Sequence, residues 1–549
     1  MKRLGTALGL LLASMSAAAD APLLPPRVAE SIQQRIDAGE YPVIVIAVVD
    51  GDRSAVYSYG KLDSGRKLDG DTAFEIGSIT KTFTATLLAQ QVVDGKLQLD
   101  QPVASLLPGF TIPSRDGNFV TLGNLASQNS GLPRLPTNFA PADPKDPYVD
   151  YDAAKLKTFL ASYSLPREPG ASFEYSNLGV GLLGYALGVH AGMGYEQLLQ
   201  EQILQPLGMQ HSTTVQGDAV RARFALGHDA AGLQVPNWHL DALAGAGAIV
   251  STGNDMLRYL KANMGLQPSP LYPAMQLAQT PRADGPRPTD RLGLVWVVHH
   301  DAAGDIIEHN GMTGGYASYV GFTADRKHGV VVLTNRNTTV DNLGQATLLA
   351  DVALAPAHKR ITLSEQELLP YDGTYELHPG FDITVYHQGD QLIAQGTGQG
   401  GFPVYATAKD EFFANVDDIS LSFKRDDQGK VTSLVVHQHG DHVAPRVSAS
   451  AADGKGRPAI TLDAATLANY VGHYQLAPKA IVDISVRDGQ PFVQLTGQPA
   501  FPLFASAKDK FFLRVVEAQI DFERDASGKV VALVLHQGGA DRRAPRAAE

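Results

Sequence analysis

A serine and a lysine three residues apart, Ser78 and Lys81, stand at the beginning of an apolar segment. Ile79, Phe83 and Leu87 recur every four residues, which predicts one buried face of a helix. Residues three apart lie on the same helix face, so the hydroxyl and the amine can touch. Burial disfavours the charged form of an amine, and a neutral lysine can accept the serine proton. The pair therefore has the chemistry of a nucleophile with its own base.

The spacing alone is not specific, because S-x-x-K is expected about twice by chance in a chain of 549 residues. Two other copies exist, at Ser58 to Lys61 and at Ser64 to Lys67, and both lie in or beside a glycine-rich polar turn. Only Ser78 opens an apolar helix. The alternative interpretation is that Ser78 caps a helix and that Lys81 lies on the surface.

A second candidate segment is Tyr175-Ser176-Asn177, which precedes a glycine-rich helix. A tyrosine beside a neutral lysine can relay a proton. An asparagine two residues further along an extended chain projects to the same side and can hold a substrate carbonyl. The alternative is structural, with a buried tyrosine before a helix that Asn177 caps.

A third candidate segment follows the predicted strand from Asp305 to His309. His309 ends that strand, and Gly311 and Met312 follow it. A strand edge can align the backbone of a substrate, and a glycine lets that backbone come close. A single histidine at a strand end is otherwise usually structural, so that alternative stays open.

The elements that must position these residues indicate an α+β domain. A near-continuous apolar strand (residues 41–50) and its hairpin partner (53–59) begin it, and a helical region with loops follows. Strands return at 292–299, 305–309, 317–322 and 329–335, and a helix near 341–354 closes the domain. Residues 121–133 are predicted as a helix that ends at Gly131. Hairpin connections favour a mostly antiparallel sheet with helices.

The last third of the chain contains an internal repeat with a period of 99 residues. Residues 361–363 recur at 460–462, 373–375 at 472–474, 408–410 at 507–509 and 429–431 at 528–530. Each unit contains seven or eight short alternating strands, which predicts a small closed β-barrel. The predicted organisation is an export signal at 1–19, a catalytic domain at 20–356, and barrels at 361–446 and 460–549.

Composition excludes several functions. The chain contains no cysteine, so disulfides, thiolate catalysis and cysteine-bound metals are excluded. A net charge of -12 without a basic tract argues against nucleic-acid binding. Lys2 and Arg3 precede an apolar run and then Ala17 to Ala19, which predicts a signal peptide cleaved near Ala19 and a periplasmic or secreted protein. No later segment is apolar enough to span a membrane.

Taken in this order, the three segments resemble the serine β-lactamase-like, penicillin-recognising hydrolases of the class C branch. This family includes class C β-lactamases, DD-carboxypeptidases, D-aminopeptidase and related esterases. The resemblance covers about residues 30–350 and extends to Asn129-Ser130-Gly131-Leu132-Pro133, Pro206-Leu207-Gly208-Met209 and Gly321-Phe322. It implies a β-lactamase/transpeptidase-like fold, an acyl-enzyme mechanism and no cofactor.

The resemblance also implies a role for each residue. Ser78 would be the nucleophile, and Lys81 and Tyr175 would share acid and base work. Asn177 would bind the acyl-side amide. His309 and Gly311 would border the substrate, and the N–H groups of Ser78 and Met312 would form the oxyanion hole.

One departure shifts the expected substrate. Class C β-lactamases usually carry lysine where this chain has His309, and histidine there resembles DD-carboxypeptidase and D-aminopeptidase. We therefore expect a peptidase acting on D-amino-acid peptides such as peptidoglycan fragments. The alternatives are a β-lactamase, a carboxylesterase, or a non-catalytic penicillin- or cell-wall-binding protein.

Two further hypotheses concern the barrels. By resemblance to D-aminopeptidase, which also carries two small barrels, barrel loops could limit substrate size at the site. His437, His439, Asp441 and His442 could suggest a metal site. The second repeat keeps only the histidine at His536, so the sequence favours a solvated strand end and no metal.

Overall fold

The computed structural model describes residues 22–547, apart from 231, 301–303, 379–380, 398–400, 415–418, 439, 449–459, 461, 478–479, 488–489, 496–500, 514–517, 526 and 538–539. The predicted export signal (1–19) and most of the predicted linker between the barrels lie outside the described residues. None of the described helices is long and apolar enough to cross a bilayer.

The helices are Pro26–Asp37 (α1), Thr80–Val93 (α2), Leu122–Ala126 (α3), Ala153–Ser162 (α4), Asn177–Ala191 (α5), Tyr195–Leu199 (α6), Gln205–Leu207 (α7), Asp218–Arg221 (α8), Ala244–Gly247 (α9), Gly253–Met264 (α10), Tyr272–Gln279 (α11), Asp341–Leu348 (α12), Glu365–Leu368 (α13) and Ala464–Ala468 (α14). Short 3-10 helices cover Gly77–Ile79, Val103–Leu106 and Leu369–Tyr371, and a π-helical turn covers Gln200–Leu204.

The strands of the first domain are Val43–Asp50 (β1), Arg53–Gly60 (β2), Ala73–Glu75 (β3), Ser114–Arg115 (β4), Asn118–Phe119 (β5), Val250–Thr252 (β6), Ala283–Asp284 (β7), Asp290–Leu292 (β8), Val297–His299 (β9), Ile306–Met312 (β10), Ala317–Thr323 (β11) and His328–Thr334 (β12). Eight of them form one antiparallel sheet in the order β2-β1-β12-β11-β10-β9-β8-β7. The predicted α+β class is confirmed.

The apolar strand β1 is buried on both sides of this sheet. Ile44 and Ile46 pack with Val28 and Ile32 of α1 on one face. Alternate residues, including Val45, belong to the larger core formed with the helical region on the other face. Burial on both faces explains why β1 reads as a continuous apolar run and not as an alternating one.

Four boundaries predicted from the sequence are wrong. Helix α3 ends at Ala126 and not at Gly131, because Gln128 takes a left-handed conformation (φ 54°) and its carbonyl accepts from the Glu174 N–H. Strand β10 runs three residues beyond His309, paired with β11. The single strand predicted at 292–299 is a hairpin of β8 and β9, and the closing helix α12 ends at Leu348.

The predicted barrels are present. The first barrel consists of Gly373–His378 (β13), Phe381–Gln388 (β14), Gln391–Gly396 (β15), Phe402–Ala408 (β16), Glu411–Ala414 (β17), Ser420–Arg425 (β18), Val431–His437 (β19) and Asp441–Ser448 (β20), and it is closed. The second consists of Gly472–Ala477 (β21), Ala480–Arg487 (β22), Gln490–Leu495 (β23), Phe501–Ala507 (β24), Lys510–Leu513 (β25), Ala518–Arg524 (β26), Val530–Gln537 (β27) and Ala540–Pro545 (β28). Its ends meet through a bridge between Tyr474 and Arg546.

The 99-residue repeat is visible as a repeated set of contacts. In each barrel an aspartate backbone N–H donates to a tyrosine hydroxyl, at 3.1 Å in the first and 3.2 Å in the second. An arginine pairs with that aspartate through its Nε, at 2.8 and 2.9 Å. The residues are Tyr371, Asp410 and Arg425 in the first barrel and Tyr470, Asp509 and Arg524 in the second. Each barrel also has its own hydrophobic core.

Glycines bring the segments of the catalytic domain together. In α5, Gly184 lies against Gly245 of α9, and a Cβ atom on Gly184 would be 2.9 Å from the Gly245 Cα. Thr84 of α2 donates a hydrogen bond to the Gly245 carbonyl at 2.8 Å. The glycine-rich composition of α5 is therefore a packing requirement, because it lets α9 approach both α5 and α2.

We predict that Gly184→Ala destabilises this domain by about 1–3 kcal/mol, because the new methyl group overpacks a backbone contact. Alanine is the better helix former by about 1 kcal/mol, so the substitution would stabilise the protein if the contact were unimportant. Gly194→Ala is the control for a methyl group that meets no neighbour, since no atom lies within 4 Å of its Cβ position. Because Gly194 is the N-cap of α6, this change should cost only the preference of caps for glycine over alanine. Calorimetric unfolding measures both. A higher melting temperature for Gly184→Ala contradicts the packing argument.

Candidate active site

Ser78, Lys81 and Tyr175 meet at one point. Lys81 Nζ lies 2.9 Å from Ser78 Oγ, and the Tyr175 hydroxyl donates to the same oxygen at 2.7 Å. Lys81 is fully buried, and its Nζ also donates to the Ala246 carbonyl at 2.7 Å. Lys81 is therefore not the surface lysine of the alternative interpretation. The arrangement contains a hydroxyl, an amine and a phenol within one hydrogen-bond network.

Burial sets the protonation of this network. It lowers the pKa of Lys81 well below its usual value, and the positive charge of Arg134 lowers it further. Burial raises the pKa of Tyr175, against smaller opposing effects of its hydrogen bond to Ser78 and of Arg134. Both shifts favour an uncharged amine and a protonated phenol on either side of the serine oxygen.

The Tyr175-Ser176-Asn177 segment is held by the loop that follows α3. The Ser176 N–H donates to Gln128 Oε1 at 2.7 Å, and its hydroxyl donates to the Pro133 carbonyl at 2.6 Å. Ser176 also caps α5, accepting from the Gly179 N–H. The helix cap is thus Ser176, not Asn177. This bracing fixes Tyr175 just before the helix begins.

The side chain of Asn177 faces the cleft. Its Nδ2 donates to the Tyr148 hydroxyl at 3.3 Å. Its Oδ1 is buried and has no hydrogen-bond partner among the described residues. An unsatisfied buried acceptor is costly, so a ligand N–H at this position would be bound favourably.

Strand β10 approaches the nucleophile through glycines on both sides. Gly77 has φ 49°, and a Cβ atom there would lie 2.7 Å from the Met312 nitrogen. A Cβ on Gly311 would clash with the Ile76 carbonyl. Gly311 is therefore required for the packing of β10 against this segment, and not only for the approach of a substrate as the sequence predicts. The close contact brings the backbones of Ser78 and Met312 to one cleft.

His309 is buried, and its Nδ1 lies 2.6 Å from the Asn310 carbonyl oxygen. Burial lowers the pKa of His309 to about 4, and the nearby Lys81 contributes, against the hydrogen bond to Asn310. The imidazole is therefore neutral at neutral pH. In this respect it differs from a charged lysine at the same position.

A cleft opens beside Ser78. Three of the predicted residues line it, namely Ser78, Asn177 and Met312. Seven more residues that the sequence does not predict line it as well: Gly77, Tyr148, Trp238, Leu240, Ala246, Gly247 and Thr313. His309 and Gly311 do not line it, and no described barrel residue does. Trp238 is one of only two tryptophans in the chain, and this rarity was the one available signal.

Glu75, three residues before the nucleophile, holds the segment that carries Trp238. Its Oε1 accepts from Asn237 Nδ2 and from the Trp238 N–H, both at 2.8 Å. Burial raises the pKa of Glu75, against the hydrogen bonds it accepts. Glu75 thus connects the strand before Ser78 to one wall of the cleft.

The histidines of the first barrel form local contacts. His437 lies between Ser422 Oγ (2.8 Å) and Asp441 Oδ1 (2.7 Å), and in the second barrel His536 pairs with Asp541. His439 lies outside the described residues. Among the described residues, no three His, Asp or Glu side chains are grouped closely enough to hold a metal ion.

Comparison with known proteins identifies a family to which each part of the chain is similar. The family model described as Beta-lactamase matches residues 28–354, and one described as a domain of unknown function (DUF3471) matches 357–451 and again 456–544. The chain is 30% identical over 311 residues to the D-alanyl-D-alanine-carboxypeptidase/endopeptidase AmpH of Escherichia coli (strain K12), covering 54% of this chain and 79% of that protein. It is 27% identical over 354 residues to a Beta-lactamase of Pseudomonas fluorescens, covering 56% and 95%.

A solved structure supports the fold. The Beta-Lactamase/D-Alanine Carboxypeptidase from Pseudomonas syringae superposes with a TM-score of 0.51 at 21% identity, covering 60% of this chain and 99% of that one. The match to the family model extends over more than half of the chain. This protein therefore belongs to the β-lactamase family.

Proposed function

We propose that the protein is an exported serine hydrolase that cleaves an amide bond in D-amino-acid-containing peptides through a Ser78 acyl-enzyme. The observation that carries the proposal is the contact of Ser78 Oγ with both Lys81 Nζ and the Tyr175 hydroxyl. A neutral amine on one side can take a proton, and a phenol on the other side can give one. No metal or cofactor is part of the proposal.

In the proposed acylation, Lys81 accepts the Ser78 proton while Oγ attacks the substrate carbonyl carbon. The N–H groups of Ser78 and Met312 stabilise the resulting oxyanion, and each such donor contributes about 3 kcal/mol. The C–N bond then breaks, and Tyr175 gives a proton to the leaving nitrogen and regains one from Lys81. Water attacks the acyl-enzyme by the same transfers in reverse, releasing the acid and restoring the Ser78 hydroxyl.

Three observations support the choice of substrate. AmpH of E. coli is named a D-alanyl-D-alanine carboxypeptidase/endopeptidase. The unpaired Asn177 Oδ1 suits an N–H on the acyl side, which amide substrates and β-lactams have and simple esters lack. The neutral His309 replaces the lysine expected of class C β-lactamases. β-Lactamase or carboxylesterase activity is the second candidate, and relatives named Beta-lactamase favour the former.

A non-catalytic penicillin- or cell-wall-binding role is the alternative of a different class. The fully buried Lys81 argues against it, because a binding protein has no use for a desolvated amine against a serine. Export through residues 1–19 and the boundaries of the catalytic domain and the two barrels are further parts of the proposal. The separate cores of the barrels support those boundaries.

The first prediction is that Ser78→Ala abolishes turnover of D-alanyl peptides, D-amino-acid amides, nitrocefin and short-chain esters alike. The fold should survive, since such a change at a helix start alters stability by about 1 kcal/mol. Mass spectrometry after a fluorophosphonate or a penicillin should detect one adduct, on Ser78. An adduct on Ser64, or undiminished activity of the Ser78→Ala variant, would contradict the assignment of Ser78 as the nucleophile.

The second prediction concerns proton transfer. Lys81→Ala and Tyr175→Phe should each slow acylation by at least about a hundredfold, and the double variant should be little slower than either. Stopped-flow measurement of acylation by a chromogenic β-lactam gives all four rates. Effects that multiply would mean that the two groups act independently.

The third prediction is a broad plateau of kcat/KM around neutral pH. The pKa of Lys81 is lowered, so the active neutral amine is lost only as pH falls through that lowered value. The pKa of Tyr175 is raised, so its proton is lost only above its ordinary value. The variant His309→Gln removes the titration of His309, near pH 4, and should keep the acid-side decline. A rise in rate towards pH 10 would contradict a neutral Lys81.

A further inference from the structure

One charged side chain beside the proton-transfer network takes no direct part in the chemistry proposed above. Arg134 follows Pro133 in the loop that braces Tyr175, and its carbonyl accepts from the Leu178 N–H at 3.2 Å. Its guanidinium carbon lies 4.9 Å from the centroid of the Tyr175 ring. The side chain is exposed. A cation is thus fixed beside the proton-transfer network, with its N–H groups open to solvent.

The described part of the chain offers Arg134 no carboxylate. Two acidic residues close in sequence to Tyr175 and Tyr148 already have partners: Glu174 pairs with Arg167, and Asp146 lies 2.7 Å from His239. No ion pair joins Arg134 to any described acidic residue. Burial disfavours the charged forms of Lys81 and His309, whereas the exposed guanidinium of Arg134 keeps its charge. Such a site attracts an anion from solution.

The charge of Arg134 acts on the side of the cleft where Asn177 lies. It lowers the pKa of both Tyr175 and Tyr148, although burial raises each of them overall. The Tyr148 hydroxyl is the group that accepts from Asn177 Nδ2. In the proposed function Asn177 binds the acyl-side amide, so Arg134 faces the acyl half of a bound substrate.

We propose that Arg134 binds a carboxylate on the acyl half of the substrate, so that the enzyme prefers acidic peptides. This inference rests on the proposed function for the direction in which the substrate lies. A planar guanidinium matches a carboxylate with two parallel hydrogen bonds, and stacking on Tyr175 limits the freedom lost on binding. Arg134 is thereby a specificity-determining residue and not a catalytic one.

A competing role for Arg134 is purely electrostatic. Its charge helps to lower the pKa of Lys81. Removing that charge would favour the protonated amine and so slow the reaction of every substrate. The two roles differ in one observable. Loss of a carboxylate partner changes the ratio of rates for acidic and neutral substrates, whereas loss of the effect on Lys81 changes both rates equally.

The test uses two peptides that differ only in charge, N-acetyl-L-Glu-D-Ala-D-Ala and N-acetyl-L-Gln-D-Ala-D-Ala. We expect the native protein to have the higher kcat/KM on the glutamyl peptide. Arg134→Gln should lower the glutamyl-to-glutaminyl ratio by about two- to fivefold, as for a solvent-exposed ion pair. Raising the ionic strength should lower the native ratio, since the site is exposed. Arg53→Gln, which removes the same charge at a distant hairpin, is the control and should keep the native ratio.

An Arg134→Gln ratio equal to the native one overturns the proposal, even if both rates fall. Failure of the proposed function would look different, with no turnover of either peptide by the native protein. In that case calorimetric binding of the two peptides to Ser78→Ala protein, with and without Arg134→Gln, gives the answer. A glutamyl preference that Arg134→Gln removes supports the anion site, and equal binding overturns it.

Discussion

Burial of the Lys81 amine is the constraint on which the rest of the catalytic domain depends. A charged ammonium is strongly penalised in such a place, so the folded protein favours the neutral amine. The Lys81 amine forms hydrogen bonds with Ser78 Oγ at 2.9 Å and with the Ala246 carbonyl at 2.7 Å. Helix α2 is therefore buried on every side along Thr80–Ala89, and α9 must come close enough to present a carbonyl.

That close approach is achieved by glycines at backbone contacts. Gly184 and Gly245 let α5 meet α9, whose Ala246 carbonyl receives Lys81. Gly77 and Gly311 let the nucleophile segment meet β10. Four segments far apart in sequence thus share one small volume, and a methyl group at any of these contacts would move an atom of the site. The geometry of the chemistry is set by backbone packing as much as by the reactive side chains.

The barrels are built separately from this arrangement. Each repeats the same tyrosine, aspartate and arginine contacts around its own core. Described contacts join the first barrel to the catalytic domain at two places. His358 stacks on Phe413 and its N–H donates to Glu40, and Arg360 stacks 3.6 Å from the Tyr405 ring centroid and donates to the Ala230 carbonyl. Ala230 precedes the segment that carries Trp238, so the Arg360 contact reaches the cleft only indirectly.

Local sequence by itself determined the features that depend on near neighbours. The contact of Ser78 with Lys81 was predictable because helix periodicity fixes which residues share a face. Strand β1 was predictable from its continuous apolar run, and the 99-residue repeat from residues that recur at one offset. Only the tertiary structure decided where α3 ends, because Gln128 accepts hydrogen bonds from the Glu174 and Ser176 N–H groups. It also decided how far β10 extends, because β10 pairs with β11 up to Met312. The same holds for Trp238, which lines the cleft, for Glu75, which holds the Trp238 segment, and for Arg134, which lies over the Tyr175 ring. All three are placed by contacts between segments distant in sequence. Those contacts leave no periodic pattern in one sequence, so the walls of the site could not be predicted although its nucleophile could.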